Sequence, residues 1–492
     1  MSTTFVPSHI TGKQDDSQKL LHIALGVGIG VCAFMLYMAA RGDLWLDEVW
    51  SIFFSESAKS PWDIVSLFKH DNNHILNTLY LYVIGKQGAL ILYRLFSIMA
   101  GIGSLYLLTR IAGRWGRVER ILVLVIAGFS YPLVLYFSEA RGYAPAIFFA
   151  LSSFFLLEKS SASASWIKLA LFWISLCLGF ISHLSFLIIF LSLSLWLIHR
   201  ETLAPASVGY RVRNVLKHLL IPILFLASFY LLYARGMTIG GGDVNDPFTE
   251  TSRGVAYLLG LPAGSIPWRL AGMTLFSAVV VIGACLCGKK ADHAWSFFLA
   301  VLLFFPVAVL LVIRPTIYYF RYLVVTYPFF CLLLSFILGK LCRSGRKGPY
   351  AAIVVLAFYL VGQTQYLLPL FRHGRGNYRT ILAEISRTSH GNVLNVGSDH
   401  DFRNKMLLSF YGRFLPPRQS VHYIEQNRWN LEPPEWIILH SLDPSQRPDP
   451  FIGIPGQRIY RLVKKEESAG NSGFSWFLYH LTGPGLASGH RP

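Results

Sequence analysis

The strongest constraint on the fold of this chain is a series of long apolar segments separated by short polar ones. A helix of about 20 apolar residues is needed to cross the hydrocarbon core of a bilayer. By that measure the sequence predicts about eleven transmembrane helices. They lie at residues 20–40, 89–110, 119–137, 142–157, 166–182, 184–198, 216–234, 268–287, 294–313, 320–340 and 349–369. A composition with 53% hydrophobic and 14% charged residues agrees with a polytopic membrane protein.

The formal net charge of +18 lies mostly in short loops between the apolar segments. No basic stripe with interleaved aromatic residues occurs in a soluble stretch, so the charge does not favour nucleic-acid binding. Basic loops of a membrane protein remain on the cytoplasmic side. Five alternate loops carry Lys or Arg, namely 110–120, 158–168, 199–218, 288–293 and 339–348. This pattern predicts that the N-terminal tail, residues 1–17, is cytoplasmic.

The same orientation places residues 41–86 in the first external loop, which concentrates acidic side chains at the membrane surface. Two amphipathic segments within it, 48–58 and 61–70, are predicted to lie along that surface. The carboxylates of the adjacent Asp47 and Glu48 point about 100° apart on a helix and cannot chelate one ion together. We expect one to face a cavity and the other to be held in the wall. The alternative is that Asp47 caps a helix beginning at Glu48.

A second polar cluster, Asp71-Asn72-Asn73-His74, precedes the next apolar helix in the same loop. Asn77 falls on the same helical face as His74. Taken alone, the cluster is equally well explained as the polar start of a helix. Two polar clusters in one short loop at the membrane surface favour a functional site.

Another polar group joins the third and fourth predicted helices on the outer side, where Glu139, Arg141 and Tyr143 lie close in sequence. The two charges either neutralise one another at the interface or leave an arginine fork for a phosphate. His183 occupies an external turn between two apolar helices. A lone histidine is more often structural than functional, and both interpretations stay open.

Arg321 and Tyr322 enter a predicted helix from the outside. Snorkelling and an aromatic belt explain such residues without a functional role. An arginine at that position is equally suited to an anionic headgroup. The external loop 235–267 is rich in Gly, Pro and Asp, and its composition predicts a flexible lid.

The composition changes after residue 370, which predicts a boundary between a membrane module at 18–370 and a C-terminal domain at 371–492 on the extracytoplasmic side. Helical patterns alternate there with short β-like runs, as in a small α/β domain. The predicted helices are 378–388 and 402–411, and the predicted strands are 392–396, 421–424, 436–440 and 458–463. The first strand leads into NVGSDHD, which lacks the glycine-rich phosphate fingerprint, so no nucleotide is assigned.

The motifs in their order resemble those of GT-C glycosyltransferases of the family 39 type, the protein O-mannosyltransferases and aminoarabinose transferases. They are LWLDEVWS (44–51), DNNH (71–74), YFSEARGYA (136–144), SHLSF (182–186) and YFRYL (319–323). The resemblance covers roughly residues 20 to 370, and the combination of motifs is more specific than any one of them. It implies a polytopic helical GT-C architecture in the cytoplasmic (inner) membrane of a bacterium.

The resemblance also implies a reaction. Enzymes of this family transfer a sugar, a hexose or a pentose, from a polyprenyl phosphate to an acceptor hydroxyl with inversion. By that resemblance Asp47 is the catalytic base and Glu48 its catalytic neighbour, while Arg141 and Arg321 face the departing phosphate. The remaining matched positions orient the sugar or a lipid, glycan or protein acceptor, and these are Asp71, Asn73, His74, Glu139, Tyr143, His183 and Tyr322.

A divalent metal on Asp47, Glu48 or His74 is left open by the ligand types and is not indicated by their spacing. Two other functions are left open as well. A transporter or flippase for an anionic lipid-linked substrate would carry charges within broken helices. A scaffold protein would bind through the α/β tail. The polar residues of this chain gather in outer loops, which favours an enzyme acting at the membrane surface.

Overall fold

The structure is a computed structural model that describes residues 9–159, 165–240, 242, 244–288, 293–313, 317–443, 445–454 and 458–484. The start of the predicted tail 1–17, the middle of the 158–168 loop and most of the 288–293 loop lie outside the described residues. The helices up to residue 203 are α1 (His9–Ala40), α2 (Leu46–Ser57), α3 (Pro61–Ser66), α4 (Ile75–Ile84), α5 (Ile91–Ala112), α6 (Arg117–Gly128), α7 (Tyr131–Phe137), α8 (Tyr143–Glu158), α9 (Trp166–Ser182) and α10 (Phe186–Leu203). The later ones are α11 (Val208–Leu232), α12 (Pro247–Leu259), α13 (Ile266–Cys287), α14 (Ala294–Leu299), α15 (Phe305–Ile313), α16 (Tyr327–Cys342), α17 (Gly348–His373), α18 (Tyr378–Thr388) and α19 (Asp401–Tyr411).

Eight of the described helical segments are long and apolar enough to cross a membrane. Helices α6 and α7 form a bent pair, with an angle of 68° between them, that counts as a ninth span. Helices α8 and α9 are shorter apolar helices. Each of the eleven predicted spans coincides with one of these segments, so the prediction of a polytopic helical membrane protein is confirmed.

The break between α6 and α7 is closed by a buried glutamine. Gln363 accepts a hydrogen bond from the backbone N–H of Tyr131 at 2.7 Å and donates to the carbonyl oxygens of Tyr257 and Leu258 at 3.1 and 3.0 Å. A backbone group without a partner costs several kcal/mol in a bilayer core. One amide side chain therefore satisfies both the start of α7 and the end of α12.

The chain divides into two compact units. The first contains Met1–Met38, Ser60–Tyr80 and Arg94–Gln365. The most buried of the eight long apolar segments is Phe320–Cys342, in which 89% of the most apolar stretch is buried. A helix that is apolar on every side is typical of a position surrounded by other helices. Phe329 in this segment packs edge-on against Phe297 at 4.9 Å between ring centroids.

The second unit contains Ala39–Lys59, Leu81–Tyr93 and Tyr366–Pro492. Its sheet has the strand order β2-β1-β3-β6-β5-β4. The strands are β1 (Val393–Ser398), β2 (Ser420–Tyr423), β3 (Trp436–Ser441), β4 (Phe451–Ile454), β5 (Arg458–Glu466) and β6 (Ser475–Pro484). Strand β1 pairs in parallel with β2 and β3, and the remaining pairings are antiparallel. The predicted α/β character is confirmed, and β4 and β6 are strands that the sequence analysis does not predict.

Part of the first external loop belongs to the second unit. Asp43 accepts hydrogen bonds from the backbone N–H and the guanidinium of Arg379, at 2.9 and 2.6 Å. Glu56 forms a bidentate ion pair with Arg413, with both distances below 3 Å. The ion pairs attach both ends of this segment, residues 39–59, to the C-terminal part of the chain. The predicted division of the chain into a membrane module at 18–370 and a C-terminal domain at 371–492 stays a prediction.

The loop 235–267 contains a helix where the composition predicts a flexible lid. Asp246 caps the N-terminus of α12 by accepting the backbone N–H of Thr249 at 2.7 Å. Gly260, with φ of 73°, ends the helix in a left-handed conformation. Glu250, Gly254 and Leu258 are buried along one face. The prediction of a flexible lid is wrong because the Asp-Pro pair begins a helix whose apolar face is packed.

Candidate active site

Five of the predicted site residues come together within the first unit, from four separate parts of the sequence. The imidazole rings of His74 and His183 stack at 4.8 Å with an interplanar angle of 22°. The Tyr143 ring lies 4.4 Å from that of His183 and 5.5 Å from that of His74. The Arg141 guanidinium is 5.2 Å from the centre of the Tyr143 ring. Tyr322 lies 6.2 Å from His183.

Arg141 is held in place by the DNNH cluster. Its guanidinium donates to Oδ1 of Asn72 at 2.8 Å, and its backbone carbonyl accepts from the Ser97 hydroxyl at 3.1 Å. The Asn77 amide donates to the Ala140 carbonyl at 2.7 Å. The polar cluster before α4 is therefore more than a helix start, because it fixes the segment that carries the arginine.

The backbone at Gly142 is part of the same fit. A Cβ atom there would lie 1.9 Å from the Ser182 carbonyl oxygen and 2.8 Å from Cβ of His74. Such distances are far below van der Waals contact, so only glycine allows the three segments to approach this closely. Residue 142 thus sets the spacing between the arginine segment and both histidines.

Both histidines are neutral at physiological pH. Burial, followed by the positive charges of Arg141 and Arg321, lowers the pKa of His183 to about 3. Burial and the same two arginines, together with His183, hold the pKa of His74 well below its usual value. A neutral imidazole can donate or accept a hydrogen bond and carries no charge for an anion. The positive charge of the cluster therefore comes from the arginines.

Arg321 lies in the 3₁₀ segment Phe320–Thr326 that leads into α16. Its guanidinium is 4.3 Å from the ring centre of Tyr319 and 6.0 Å from that of Tyr322. Because its charge acts on the pKa of both histidines, it lies in the same electrostatic neighbourhood as Arg141. Arg141 is buried and Arg321 is half-buried, and two arginines among aromatic rings favour a negatively charged ligand.

Several polar atoms around this cluster are buried and have no hydrogen-bond partner among the described residues, and three of them belong to its aromatic rings. They are Nε2 of His74 and the hydroxyls of Tyr136 and Tyr143. The Tyr136 and Tyr143 rings are 4.8 Å apart. Buried polar atoms in native proteins are nearly always paired, and an exception calls for a ligand or water. Oxygen atoms of a bound substrate would pair with all three.

Asp71, Asn73 and Glu139 have local roles in the same unit. Oδ1 of Asp71 lies 2.9 Å from Nδ1 of His70. The Asn73 amide donates to the carbonyls of Ile64 and Phe68, both at 2.8 Å, which closes the loop before α4. Glu139 is completely buried, and its carbonyl accepts the Arg141 N–H at 2.8 Å. Their assignment to substrate binding stays a prediction.

Asp47 and Glu48 lie in the first turn of α2, in the second unit. Glu48 is fully buried and accepts the backbone N–H of Trp45 at 3.1 Å. Asp47 is partly exposed. The alternative in which Asp47 caps the helix is wrong, because α2 begins at Leu46 and Trp45 is its N-cap. Glu48 is therefore the buried carboxylate of the pair, and the prediction that Asp47 faces a cavity stays a prediction.

Two parts of the site are missing from the sequence analysis. Tyr136 is one: it begins the motif at 136–144, but the sequence analysis assigns it no role. Glu250 is the other, and it accepts the backbone N–H of Phe320 at 3.3 Å beside Arg321. The Asp-Pro signal at the start of α12 predicts the helix that carries Glu250. Among the described residues, no group of three His, Cys, Asp or Glu side chains is arranged to hold a metal ion.

Comparison with known proteins gives matches at the level of structure. No family model matches this chain, and no curated protein matches it in sequence. The structure of ArnT from Cupriavidus metallidurans in the apo state matches with a TM-score of 0.54 and 12% identity, covering 94% of this chain and 98% of ArnT. This likeness shows the fold, so the prediction of the GT-C architecture is confirmed.

Two further structures match with lower scores. ArnT from the same organism bound to undecaprenyl phosphate has a TM-score of 0.42 and 13% identity, covering 96% of this chain and 99% of ArnT. The arabinofuranosyltransferase AftD from Mycobacteria has a TM-score of 0.45 and 12% identity, covering 93% of this chain and 40% of AftD. This chain thus spans less than half the length of AftD.

Proposed function

We propose that this chain is a membrane glycosyltransferase that takes a sugar from a polyprenyl-phosphate donor and transfers it to an acceptor hydroxyl with inversion. The observation that carries the proposal is the cluster of Arg141 and Arg321 around two buried, neutral histidines and the aromatic rings beside them. The GT-C fold supports a membrane enzyme. The donor class follows from the resemblance of the motifs, and the arginine cluster supports it because phosphate suits a planar guanidinium fork.

The proposed reaction breaks the bond between the anomeric carbon and the phosphate oxygen of the donor. The acceptor oxygen attacks that carbon from the opposite face and loses its proton to Asp47. The electron pair of the broken bond remains on the departing phosphate, whose second negative charge Arg141 and Arg321 stabilise. Fixed cations at a developing negative charge contribute strongly in a site that excludes water.

The unpartnered atoms are assigned to the sugar. Nε2 of His74 and the hydroxyl of Tyr143 lie among the arginines, and each is able to pair with a sugar hydroxyl. Glu48 is fixed by the Trp45 N–H and serves to position the first turn of α2. Asp47, in the same turn, carries the base assignment on the strength of the motif.

The proposal is tested by donor turnover in detergent. Purified protein is incubated with a panel of radiolabelled polyprenyl-phosphate sugars, and the release of polyprenyl phosphate is measured for the wild type and for Asp47→Asn. Turnover of one donor that falls by at least about 100-fold in Asp47→Asn would support the base assignment. Asp63→Asn is a matched control, since Asp63 caps α3 through Ser60 and no motif of the family contains it.

A second assay separates the enzyme from a transporter. The protein is reconstituted in liposomes, and movement of the fluorescent donor between leaflets is measured without an acceptor. Donor movement at a rate unaffected by Asp47→Asn, together with no release of polyprenyl phosphate, would replace the enzyme proposal with a flippase. Release that survives in Asp47→Asn and is lost in Arg321→Gln would retain the enzyme and remove the base assignment.

A further inference from the structure

A groove of the first unit lies between α9 and α11, and none of the residues that line it belongs to the candidate active site. It encloses about 590 Å³, which is within the size range of small-ligand sites. Two tryptophans of α9, Trp166 and Trp173, form one wall. The other wall is a single face of α11 with residues at helical spacing, among them Arg213, Leu216, Lys217 and Leu220.

The floor of the groove is fixed by a hydrogen bond between the two helices. Pro222 lies inside α11 and has no N–H to donate to the carbonyl of His218, four residues before it. The Trp173 indole donates to that carbonyl at 3.1 Å instead. Because an open carbonyl is costly in a bilayer, this bond holds α9 and α11 together at a fixed position along both helices.

The charged rim of the groove lies at the end of the apolar part of α11. The helix has 25 residues, and Lys217 is followed by an apolar run. The ammonium of Lys217 is 5.0 Å from the ring centre of Trp166, and the guanidinium of Arg213 is 5.8 Å from that of Tyr210. Neither cation forms an ion pair with a carboxylate in the described part of the chain. Indole rings and basic side chains together are typical of the headgroup region.

The charge of the surrounding chain is strongly one-sided. Between residues 159 and 242 the sequence contains one acidic residue, Glu201, whose carboxylate lies 3.6 Å from Arg200. The same stretch contains seven Lys and Arg residues, which are Lys159, Lys168, Arg200, Arg211, Arg213, Lys217 and Arg235. This part of the chain therefore has an excess of positive charge, which attracts an anion to the rim formed by Arg213 and Lys217.

We propose that the groove binds an anionic glycerophospholipid of the surrounding membrane. The phosphate lies between Arg213 and Lys217, and one acyl chain lies along Leu216 and Leu220 against Trp173. The basic loops predict that this end of both helices is cytoplasmic, which places the lipid in the inner leaflet. The site is independent of the proposed transfer reaction, and its occupant is a structural lipid.

Binding is measured by native mass spectrometry of the purified full-length protein titrated with palmitoyl-oleoyl phosphatidylglycerol. Palmitoyl-oleoyl phosphatidylcholine is the comparison lipid. We expect the double variant Arg213→Gln/Lys217→Gln to bind phosphatidylglycerol about 30-fold more weakly, because it lacks both basic contacts. The control variant is Arg346→Gln/Lys347→Gln, which removes two exposed cations from another loop on the same predicted face. Its affinity should equal that of the wild type.

Equal affinity of the wild type and the double variant for phosphatidylglycerol would overturn the proposal. So would equal binding of phosphatidylcholine, since the groove would then be merely apolar. Stronger binding of undecaprenyl phosphate at the same rim, with loss in the double variant, would replace the phospholipid by a polyprenyl lipid. The single variant Arg213→Gln, on an exposed position of α11, repeats the test with a smaller change of surface and an expected loss of about fivefold.

Discussion

Glu250 on α12 accepts a hydrogen bond from the backbone N–H of Phe320 at 3.3 Å, and Phe320 immediately precedes Arg321. The other carboxylate oxygen pairs with Arg253, which is 40% exposed, whereas Glu250 is buried. The first oxygen thus fixes the backbone of the segment that carries Arg321, and the second is neutralised at the surface. Glu250 is a positioning residue for the arginine.

We expect Glu250→Ala to lower kcat of donor turnover by about 10-fold or more, since an unpaired buried N–H costs roughly 1–3 kcal/mol. Glu250→Gln keeps an acceptor oxygen for Phe320 and should recover most of the activity. Arg253→Gln leaves that hydrogen bond intact and is the matched control. Equal losses in Glu250→Gln and Glu250→Ala would show that charge, and not the hydrogen bond, is the essential property. Steady-state release of polyprenyl phosphate provides the measurement.

Arg321 should not be replaceable by lysine. The guanidinium is a planar fork that lies 4.3 Å from the Tyr319 ring, and a lysine keeps the charge but loses both the fork and the flat stacking face. We expect Arg321→Lys to reduce kcat/KM by about 10²-fold and Arg321→Gln by about 10³-fold, in the range seen for groups that stabilise a developing anion. Wild-type activity in Arg321→Lys would mean that charge alone is sufficient there.

The sequence is sufficient to predict the membrane spans and the segments that carry the site residues, because both are marked by local patterns. Apolar length identifies nine spans, and the apolar composition of α8 and α9 identifies the other two predicted segments as helices. The DNNH cluster before α4 contains Asn72, which accepts a hydrogen bond from Arg141. Strand β6 is missed because its aromatic residues follow no clear alternation, and its place in the sheet depends on pairing with β3 and β5. The place of Tyr136 in the site is missed for a similar reason, since only tertiary packing brings its ring against that of Tyr143.

The structure also decides between local alternatives that the sequence leaves open. A helix beginning at Leu46, and not at Glu48, makes the Trp45 N–H the group that Glu48 satisfies. The pKa of His183 is beyond sequence analysis altogether, because it depends on the burial of the ring and on two arginines distant in sequence. Short-range patterns predict elements, whereas the electrostatics of the site arise from segments that meet only in the folded protein.

Folding stability should decrease as the pH falls below about 6.5, because of His183. The pKa of His183 is about 3 in the folded protein, against an ordinary value of 6.5 that applies to the unfolded chain. The unfolded chain therefore binds the proton first as the pH falls. The contribution is complete above about pH 6.5 and is lost between pH 6.5 and 3, at up to about 1.4 kcal/mol per pH unit. We expect the thermal midpoint of the wild type in detergent to fall more steeply between pH 7.5 and 5 than that of His183→Gln. Parallel profiles would contradict this.

Gly142 gives the sharpest steric prediction. A methyl group there would lie 1.9 Å from the Ser182 carbonyl and 2.8 Å from Cβ of His74, so Gly142→Ala must separate the arginine segment from both histidines. A shift of about 1 Å in a catalytic arrangement can reduce the rate roughly 10²-fold. We expect that loss in donor turnover, with destabilisation of about 1–3 kcal/mol from overpacking. Gly30→Ala is the control, because a Cβ at Gly30 in α1 meets no atom within 4 Å and alanine favours the helix. Activity and thermal midpoint should be unchanged or slightly raised in the control, and unchanged activity in Gly142→Ala would show that the site tolerates the separation.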